Sequence, residues 1–534
     1  MPYEKGMYRS YFPLYTHKNY GFATEDLNYG ANASSGSKVI TGLRVVLIAK
    51  NSTSNVTVGL DYVRPTADSR HSVNGSKYIL TLNEYASFHN DADILKNNIT
   101  RARKAMLFLL EPLNGKNGLV SNKYLNRHDS YKGVANGFWD IYPACNYNCE
   151  TNLYFYDALL ALANIEEVLA KSGVTITEKA RIEWNDLNGN KQTAAYDMTA
   201  DSLRTLAETV KGNINSIFYN EETGRFAWGV YDTQALQGNA AGTLMDYGFT
   251  ELNLHAVASF IADDEKTASI MKWINGERIV SGDKITGGAI NDETFTPVTT
   301  TVEHQKWKYM TLQNDEINSD FTAFYVDKNF GEECQDGGYI MHVTYYDLLA
   351  RARYYGADNV RVKLGFIAEW FNTIKAKNTD NGGDYSNFFI NHYGKDALQG
   401  ADGNGRYGLH DEFKEAAMVY AVAPKVFLGL NAEHGNLILA PNITGMTSFG
   451  ISNLQFAEHN YNCFVTATDS EQKIILSGIN GTANSGLKVT VTVKLSSVQS
   501  VYLNGKVLES SEYDVQNGYA TLNLDFVNFT LIIK

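Results

Sequence analysis

Three loop segments carry carboxylates, amides and aromatic rings to places where a helix is about to begin. The first is Gly133-Val134-Ala135-Asn136-Gly137-Phe138-Trp139-Asp140-Ile141-Tyr142-Pro143, ahead of a helical run from Thr151. Trp139 and Ile141 flank Asp140, and apolar neighbours that exclude water raise a carboxyl pKa toward the range a general acid needs. Capping a turn is the alternative role for that Asp. The second is Gly405-Arg406-Tyr407-Gly408-Leu409-His410-Asp411-Glu412-Phe413-Lys414-Glu415, with Asp411, Glu412 and Glu415 at a helix start. The helix dipole keeps carboxylates ionised there, and an ionised carboxylate can take a proton from water; acidic first turns are also common in helices without chemistry. Glu412 and Glu415 stand three apart on one face, so one of them is expected to face a cavity. The third is Glu333-Cys334-Gln335-Asp336-Gly337-Gly338. Its glycines let a ligand approach the backbone, and Gln335 and Asp336 could bond hydroxyl groups; a plain glycine turn is the alternative.

The elements that must position these loops are mostly helical. Apolar residues recur at helical spacing from Asp91 (Ile94, Ile99, Ala102, Ala105, Met106, Leu109, Leu110). Similar runs follow at 151–171, 200–215, 251–261, 265–275, 339–356, 359–374 and about 411–430. A rhythm of helix pair plus long loop predicts hairpins closing into a toroid, with the loops gathered at one open end. Residues 38–88 read as strands bounded by Asn/Ser/Gly turns, too short for a complete sandwich. After Gly435, alternating strands with Asn-Gly turns at 480–481, 504–505 and 517–518 predict a C-terminal antiparallel β-sandwich. The expected division is an N-terminal β segment over 1–88, a helical domain over 89–434 and a β-sandwich over 435–534.

Composition narrows the partners. The 534 residues hold 46 Lys+Arg against 59 Asp+Glu, a net charge of −13, which disfavours phosphate-rich nucleic acid and anionic membranes. No apolar run is long enough to span a bilayer. The start, Met1-Pro2-Tyr3-Glu4-Lys5, has no basic and apolar leader, so the sequence as it stands predicts a cytoplasmic protein, exported only where a preceding segment has been removed. Four cysteines, Cys145, Cys149, Cys334 and Cys463, are too sparse for a disulfide framework, and the pair at 145 and 149 has no second pair nearby to complete a zinc site. No metal or cofactor is expected. An excess of aromatics, 34 Tyr, 25 Phe and 6 Trp, suits a ring-shaped, hydroxyl-rich neutral ligand, since aromatic faces stack on the C–H faces of sugars.

Several patterns resemble the six-hairpin, (α/α)6-barrel glycoside hydrolases, the superfamily of trehalase, processing α-glucosidase I, debranching-enzyme glucosidase and α-L-rhamnosidase. They are Phe138-Trp139-Asp140 followed by Asn152-Leu153-Tyr154; Asp246-Tyr247-Gly248-Phe249-Thr250-Glu251-Leu252-Asn253; Gln335-Asp336-Gly337-Gly338 leading to Tyr346-Asp347-Leu348; and Glu412-Phe413 leading to Phe427-Leu428-Gly429. The resemblance covers about residues 90–440 and implies a mainly α fold with flanking β. It further implies Asp140 as proton donor and Glu412 as base, with Glu415 in reserve. The trehalase-like Glu-Ser-Gly-Trp-Asp is here Asn136-Gly137-Phe138-Trp139-Asp140, which argues against trehalose. Glycoside hydrolysis with inversion of an oligosaccharide or glycoside is therefore expected; an inverting phosphorylase on the same fold and a silent glycan-binding protein are the rivals. Phe138, Trp139, Trp228, Tyr247, Trp307 and Tyr407 are candidate ring-stacking walls. Asp246, Gln335, Asp336, His410 and Asp411 are candidate hydroxyl contacts.

Overall fold

Between residues 73 and 110 the buried side chains recur every three or four positions, which puts them on one side of an α-helix. The computed structural model accordingly holds helix α1 (Val73–His89), burying Val73, Ile79, Leu82 and Ala86, and helix α2 (Ala92–Leu110), burying Leu95, Ile99, Ala102, Met106 and Leu109. The structure describes residues 72–121, 147–280, 343–379, 414–480 and 486–534, apart from 175, 187–189, 231–241, 247, 276, 279 and 496–499, together with short strands at 2–4, 7–8, 339–340 and 407–408. Helix α1 corrects the expectation of strand up to residue 88. The turn-like Asn74-Gly75-Ser76 conceals the stripe formed by Val73, Ile79, Leu82 and Ala86. Asn90 closes α1 at φ 49°, its N–H donating to the Ala86 carbonyl, and the Asp91 carboxylate accepts the Ile94 N–H at 2.9 Å to open α2.

The pairing continues through α3 (Cys149–Lys171), α4 (Ala200–Ile217), α5 (Thr250–Ala258), α6 (Asp264–Ile274), α7 (Val343–Tyr354) and α8 (Ala357–Thr379). The odd-numbered helices α1, α3, α5 and α7 pack side by side, and each even-numbered helix packs against the odd one before it. Burial follows that placement. Helix α5 buries every residue from Thr250 to Val257, whereas α4 buries only Leu203, Ala207, Val210 and Ile214 on one stripe. Helix starts carry side-chain caps. Thr199 and Ser202 form a reciprocal capping box on α4, and Asp263 accepts the Lys266 N–H at 2.8 Å on α6. Among the described residues this gives an arc of four helical hairpins. Its closure into an (α/α)6 ring is not shown.

The expected helix over 411–430 is instead a 3-10 stretch (Lys414–Ala421) running into a short helix α9 (Val422–Phe427). Pro424, which lacks an N–H, fits the first turn of α9 and would break a helix interior. Two sheets follow. One has five strands in the order 431–433, 436–439, 488–494, 519–525, 514–516; the other has six, in the order 448–456, 459–467, 472–477, 529–533, 501–503, 506–507. All pairings are antiparallel except 436–439 with 488–494. Alternation buries Val489, Val491 and Val493 in one sheet and Ile474, Leu476, Leu531 and Ile533 in the other, and these meet in a single core shared with Leu348 of α7, Val360 of α8 and Phe427 of α9. Asn504-Gly505 and Asn517-Gly518 take positive φ at both residues, as tight hairpin turns require. Strands 448–456 and 459–467 were not foreseen, because a bulge between Ile451 and Leu454, with Asn453 at φ 60°, breaks the alternation. Backbone contacts separate residues 1–69, where an antiparallel pair Pro2–Glu4 with Met7–Tyr8 is described, from residues 70–534. No helix among the described residues is long and apolar enough to cross a membrane.

Two outcomes follow from this packing. Gly429 sits at φ 57°, and a Cβ there would collide with the Ala440 carbonyl. Gly429→Ala should lower stability by about 1–3 kcal/mol, read as a lower urea midpoint with unchanged slope. Burial pushes the Cys463 thiol up to about 12. Peptide mapping after iodoacetamide treatment at pH 8 should find Cys463 unlabelled in the native protein and labelled in urea.

Candidate functional site

The starts of α3 and α5 are both buried, so their first amide groups need partners other than water. The chain from Arg225 to Val230 supplies one such partner for α3 and braces α5 through a side chain. Gly229–Val230 pairs with Tyr147–Asn148 on one side and with Leu244–Met245 on the other, so one small sheet leads into both helices. The Trp228 carbonyl accepts the Cys149 N–H at 2.8 Å and the Asn148 side-chain amide at 3.2 Å. Asn148 in turn caps α3, accepting the Thr151 N–H at 2.9 Å.

One turn further in, the same device appears twice. The Asn253 carboxamide oxygen accepts the Phe226 N–H at 2.7 Å, and its NH2 donates to the carbonyls of Phe226 (3.0 Å) and Phe249 (2.8 Å). Asn152 does the same in α3, accepting from Val120 N–H (2.7 Å) and donating to the carbonyls of Val120 (3.1 Å) and Asn148 (2.9 Å). Both residues sit fourth in their helices, and two positions before each stands a buried carboxylate, Glu150 at 1% exposure and Glu251 at 3%. The repeated Glu-x-Asn-Leu, at 150–153 and 251–254, is the sequence signal shared by this pair of helix starts.

Helix α7 joins them through side chains. The hydroxyls of Tyr154 (α3) and Tyr346 (α7) are 3.0 Å apart. His255 (α5) stacks on the Tyr346 ring at 4.5 Å between centroids and meets the edge of the Tyr154 ring at 4.7 Å. Its Nε2 lies 2.7 Å from Asp157, whose carboxylate also accepts the Ser259 hydroxyl at 3.1 Å. Burial raises both phenols well above the ordinary tyrosine value, and the charge of Glu251 adds to this at both. Glu150 acts in the same direction on Tyr154. The N-terminal turns of α3, α5 and α7 thus bring buried carboxylates, phenols and an imidazole together. The strand before α7, Tyr339–Ile340, runs parallel to Tyr407–Gly408, which brings the chain just ahead of Glu412 to that helix start.

The two described side chains from the expected ligand set serve the scaffold. Trp228 is fully buried and packs against Phe249 at 4.9 Å, closed to any stacked ring. Asp246 gives one oxygen to Arg225 Nε (2.8 Å) and the Gly248 N–H (3.2 Å), and the other to Thr223 (2.6 Å) and Asn220 (3.0 Å), which leaves no acceptor for a ligand hydroxyl. Arg225 lies over the Trp273 ring at 4.6 Å, so the pair is shielded from water. Asp140, Phe138, Trp139, Tyr247, Trp307, Gln335, Asp336, His410, Asp411 and Glu412 lie outside the described residues. So do the side chains of Tyr407, whose backbone forms the strand beside Tyr339, and of Glu415, whose backbone lies in the 3-10 stretch. Among the described residues no three His, Cys, Asp or Glu side chains gather to hold a metal ion.

No protein-family model matches this sequence, and no curated protein is significantly similar to it. Weak likenesses exist among solved structures. An α-L-rhamnosidase from Dictyoglumus thermophilum superposes with TM-score 0.43 at 11% identity, over 86% of this chain and 39% of that one. A GH78 family rhamnosidase of Bacillus sp. GL1 gives 0.38 at 13% identity, over 78% and 33%. A GH127 β-L-arabinofuranosidase from Geobacillus stearothermophilus T6 gives 0.28 at 9%, over 87% and 72%. This chain therefore spans less than half the length of either rhamnosidase, and at such TM-scores the likenesses carry no weight for activity.

The amide clamps make a stability prediction. Asn253→Ala would leave the buried Phe226 N–H and C=O without their partner and should cost about 2–4 kcal/mol in a urea titration. Asn215→Ala on α4 is the scale for comparison: Asn215 donates to the Ile261 carbonyl from a half-buried position, and its loss should cost less.

Proposed function

We propose that the protein is an inverting glycoside hydrolase acting on a terminal α-glucoside-like or α-L-rhamnoside-like bond, with Asp140 as acid, Glu412 as base and Glu415 in reserve. The proposed architecture is a six-hairpin catalytic ring over 89–434, preceded by a β segment over 1–88 and followed by a β-sandwich over 435–534. One observation carries the reading: the first turns of α3, α5 and α7 converge, and the segments holding both carboxylates are tethered to that convergence. Asp140 precedes Asn148, the cap of α3, by eight residues, and Glu412 follows Gly408, paired beside the start of α7, by four. Fully extended, these tethers reach at most about 29 Å and 14 Å. Tethers of that length allow both groups to reach the end of the arc where Glu150, Glu251 and the two phenols lie, as this reading requires.

In this mechanism Asp140 protonates the departing glycosidic oxygen while Glu412 takes a proton from water attacking the opposite face of the anomeric carbon. Inversion requires the two carboxyl groups to stand roughly 6.5–9.5 Å apart, leaving room for that water. A phosphorylase would place a phosphate dianion near Glu150, Glu251 and the Asp411-Glu412 pair, an arrangement their charge opposes.

A screen of aryl glycosides and disaccharides of defined anomeric configuration, followed by NMR of the first-formed sugar, tests this. The expected product is the inverted anomer, formed without added phosphate. Asp140→Asn should lower kcat on substrates with poor leaving groups about 10²–10⁴-fold while sparing sugar binding, and Glu412→Gln should lower it on all substrates. Unchanged turnover by Asp140→Asn removes the acid assignment; calorimetric sugar binding with no turnover by the wild type would mark a glycan-binding protein instead.

A further inference from the structure

We infer that Asp157, His255, Tyr154 and Tyr346 form a positioning device that sets the three helix starts in register and so holds the proposed catalytic loops at working distance; the inference rests on the hydrolase reading above. Each of α3, α5 and α7 contributes one ring to the contact, Tyr154 and His255 as the sixth residues of their helices and Tyr346 as the fourth. All three therefore meet within about 8 Å of where the helices begin.

The contact is specific where ordinary packing is not. A phenol–phenol hydrogen bond of 3.0 Å ties α3 to α7, a stacked ring ties α5 to α7, and an edge contact ties α5 to α3. Asp157, one turn below on α3, fixes the imidazole by its Nε2 at 2.7 Å and is itself held by Ser259 at the end of α5. Aliphatic side chains in the same places would fill the volume but would let the helices slide, because dispersion has no direction. Hydrogen bonds and ring geometry fix both the rotation and the level of each helix. The segments with Asp140, with residues 231–247 and with Gln335 and Asp336 each run directly into one of these helices. A shift of about 1 Å between reacting groups costs on the order of a hundredfold in rate, so register at this level bears on turnover.

Tyr346→Phe keeps the stack and deletes only the phenol bond; Asp157→Asn keeps the shape and weakens the hold on His255. Both are compared with wild type and Asp140→Asn in steady-state kinetics and in amide hydrogen exchange. The expected result for Tyr346→Phe and Asp157→Asn is a kcat about tenfold or more lower with KM changed less than about threefold. Exchange should quicken at residues 149–152, 250–253 and 343–346 and stay unchanged in strands 488–494 and 519–525. The inference is overturned by unchanged exchange at the three helix starts, by faster exchange spread into those strands, or by wild-type kcat in both variants while Asp140→Asn abolishes turnover. Should Asp140→Asn turn over normally, the acid assignment fails, and the exchange pattern, which needs no substrate, decides the positioning role by itself.

Discussion

A helix that begins inside a protein leaves backbone groups that only the protein can satisfy, and in this chain two asparagine side chains tie two such helix starts to the chain beside them. Asn152 and Asn253 each mimic a strand edge, accepting from and donating to the backbone of a single residue, Val120 and Phe226. Each also donates to the carbonyl four residues back, closing its own first turn. An amide that satisfies three backbone groups leaves no slack for water to enter. The helix start, the incoming chain and the strand between them are thereby one rigid piece. The rest of the site inherits its order from these clamps, since Glu150 and Glu251 occupy fixed positions only because the turns carrying them do.

The helical arc divides labour between its two layers. Outer helices such as α4 bury a single stripe and leave their polar faces to solvent, with surface ion pairs such as Arg204 with Glu167 at 2.7 Å that add little stability. Inner helices α3 and α5 are buried on most sides, and several of their polar groups pair across helices, as Tyr154 does with Tyr346 and Asp157 with His255. Buried polarity in α7 obeys the same rule: Arg351 donates to both oxygens of Asp347 at 2.9 and 3.0 Å and reaches Asn275 and Asn359, so α7 is held to the ends of α6 and α8. Such pairs contribute little net stability, yet they forbid alternative packings, because any slip would strand a buried charge.

The C-terminal sheets are continuous with the helices. Leu348, Ala357, Val360 and Ile367 of α7 and α8 share a core with the strands, the Ala457 N–H donates to the Phe88 carbonyl at 2.7 Å, and His434 lies 3.4 Å from Ser87. Both ends of the arc, α1 and α7–α8, therefore touch the same β region. A sheet pair of that kind braces an arc whose inner face would otherwise be free to open, and it leaves the helix starts to the clamps and rings described above.

Wherever the determinant was periodic and local, the amino-acid sequence alone was sufficient. The stripes of α2, α4 and α6, the asparagine-glycine turns at 504–505 and 517–518, and the alternation of 488–494 and 529–533 all follow from spacing, because amphipathic periodicity and turn chemistry are properties of neighbours in the chain. Local signals also misled: Asn74-Gly75-Ser76 looks like a turn and lies in α1, and Asn453 at positive φ hides a long strand. What tertiary structure decided was the use of each polar side chain. Asp246 has the composition of a ligand contact, and only the arrival of Arg225, Thr223 and Asn220 from another part of the chain turns it into scaffold. Likewise nothing local marks Tyr154, His255 and Tyr346 as partners, since they come from three helices and owe their meeting to packing at distances in sequence that no periodicity encodes.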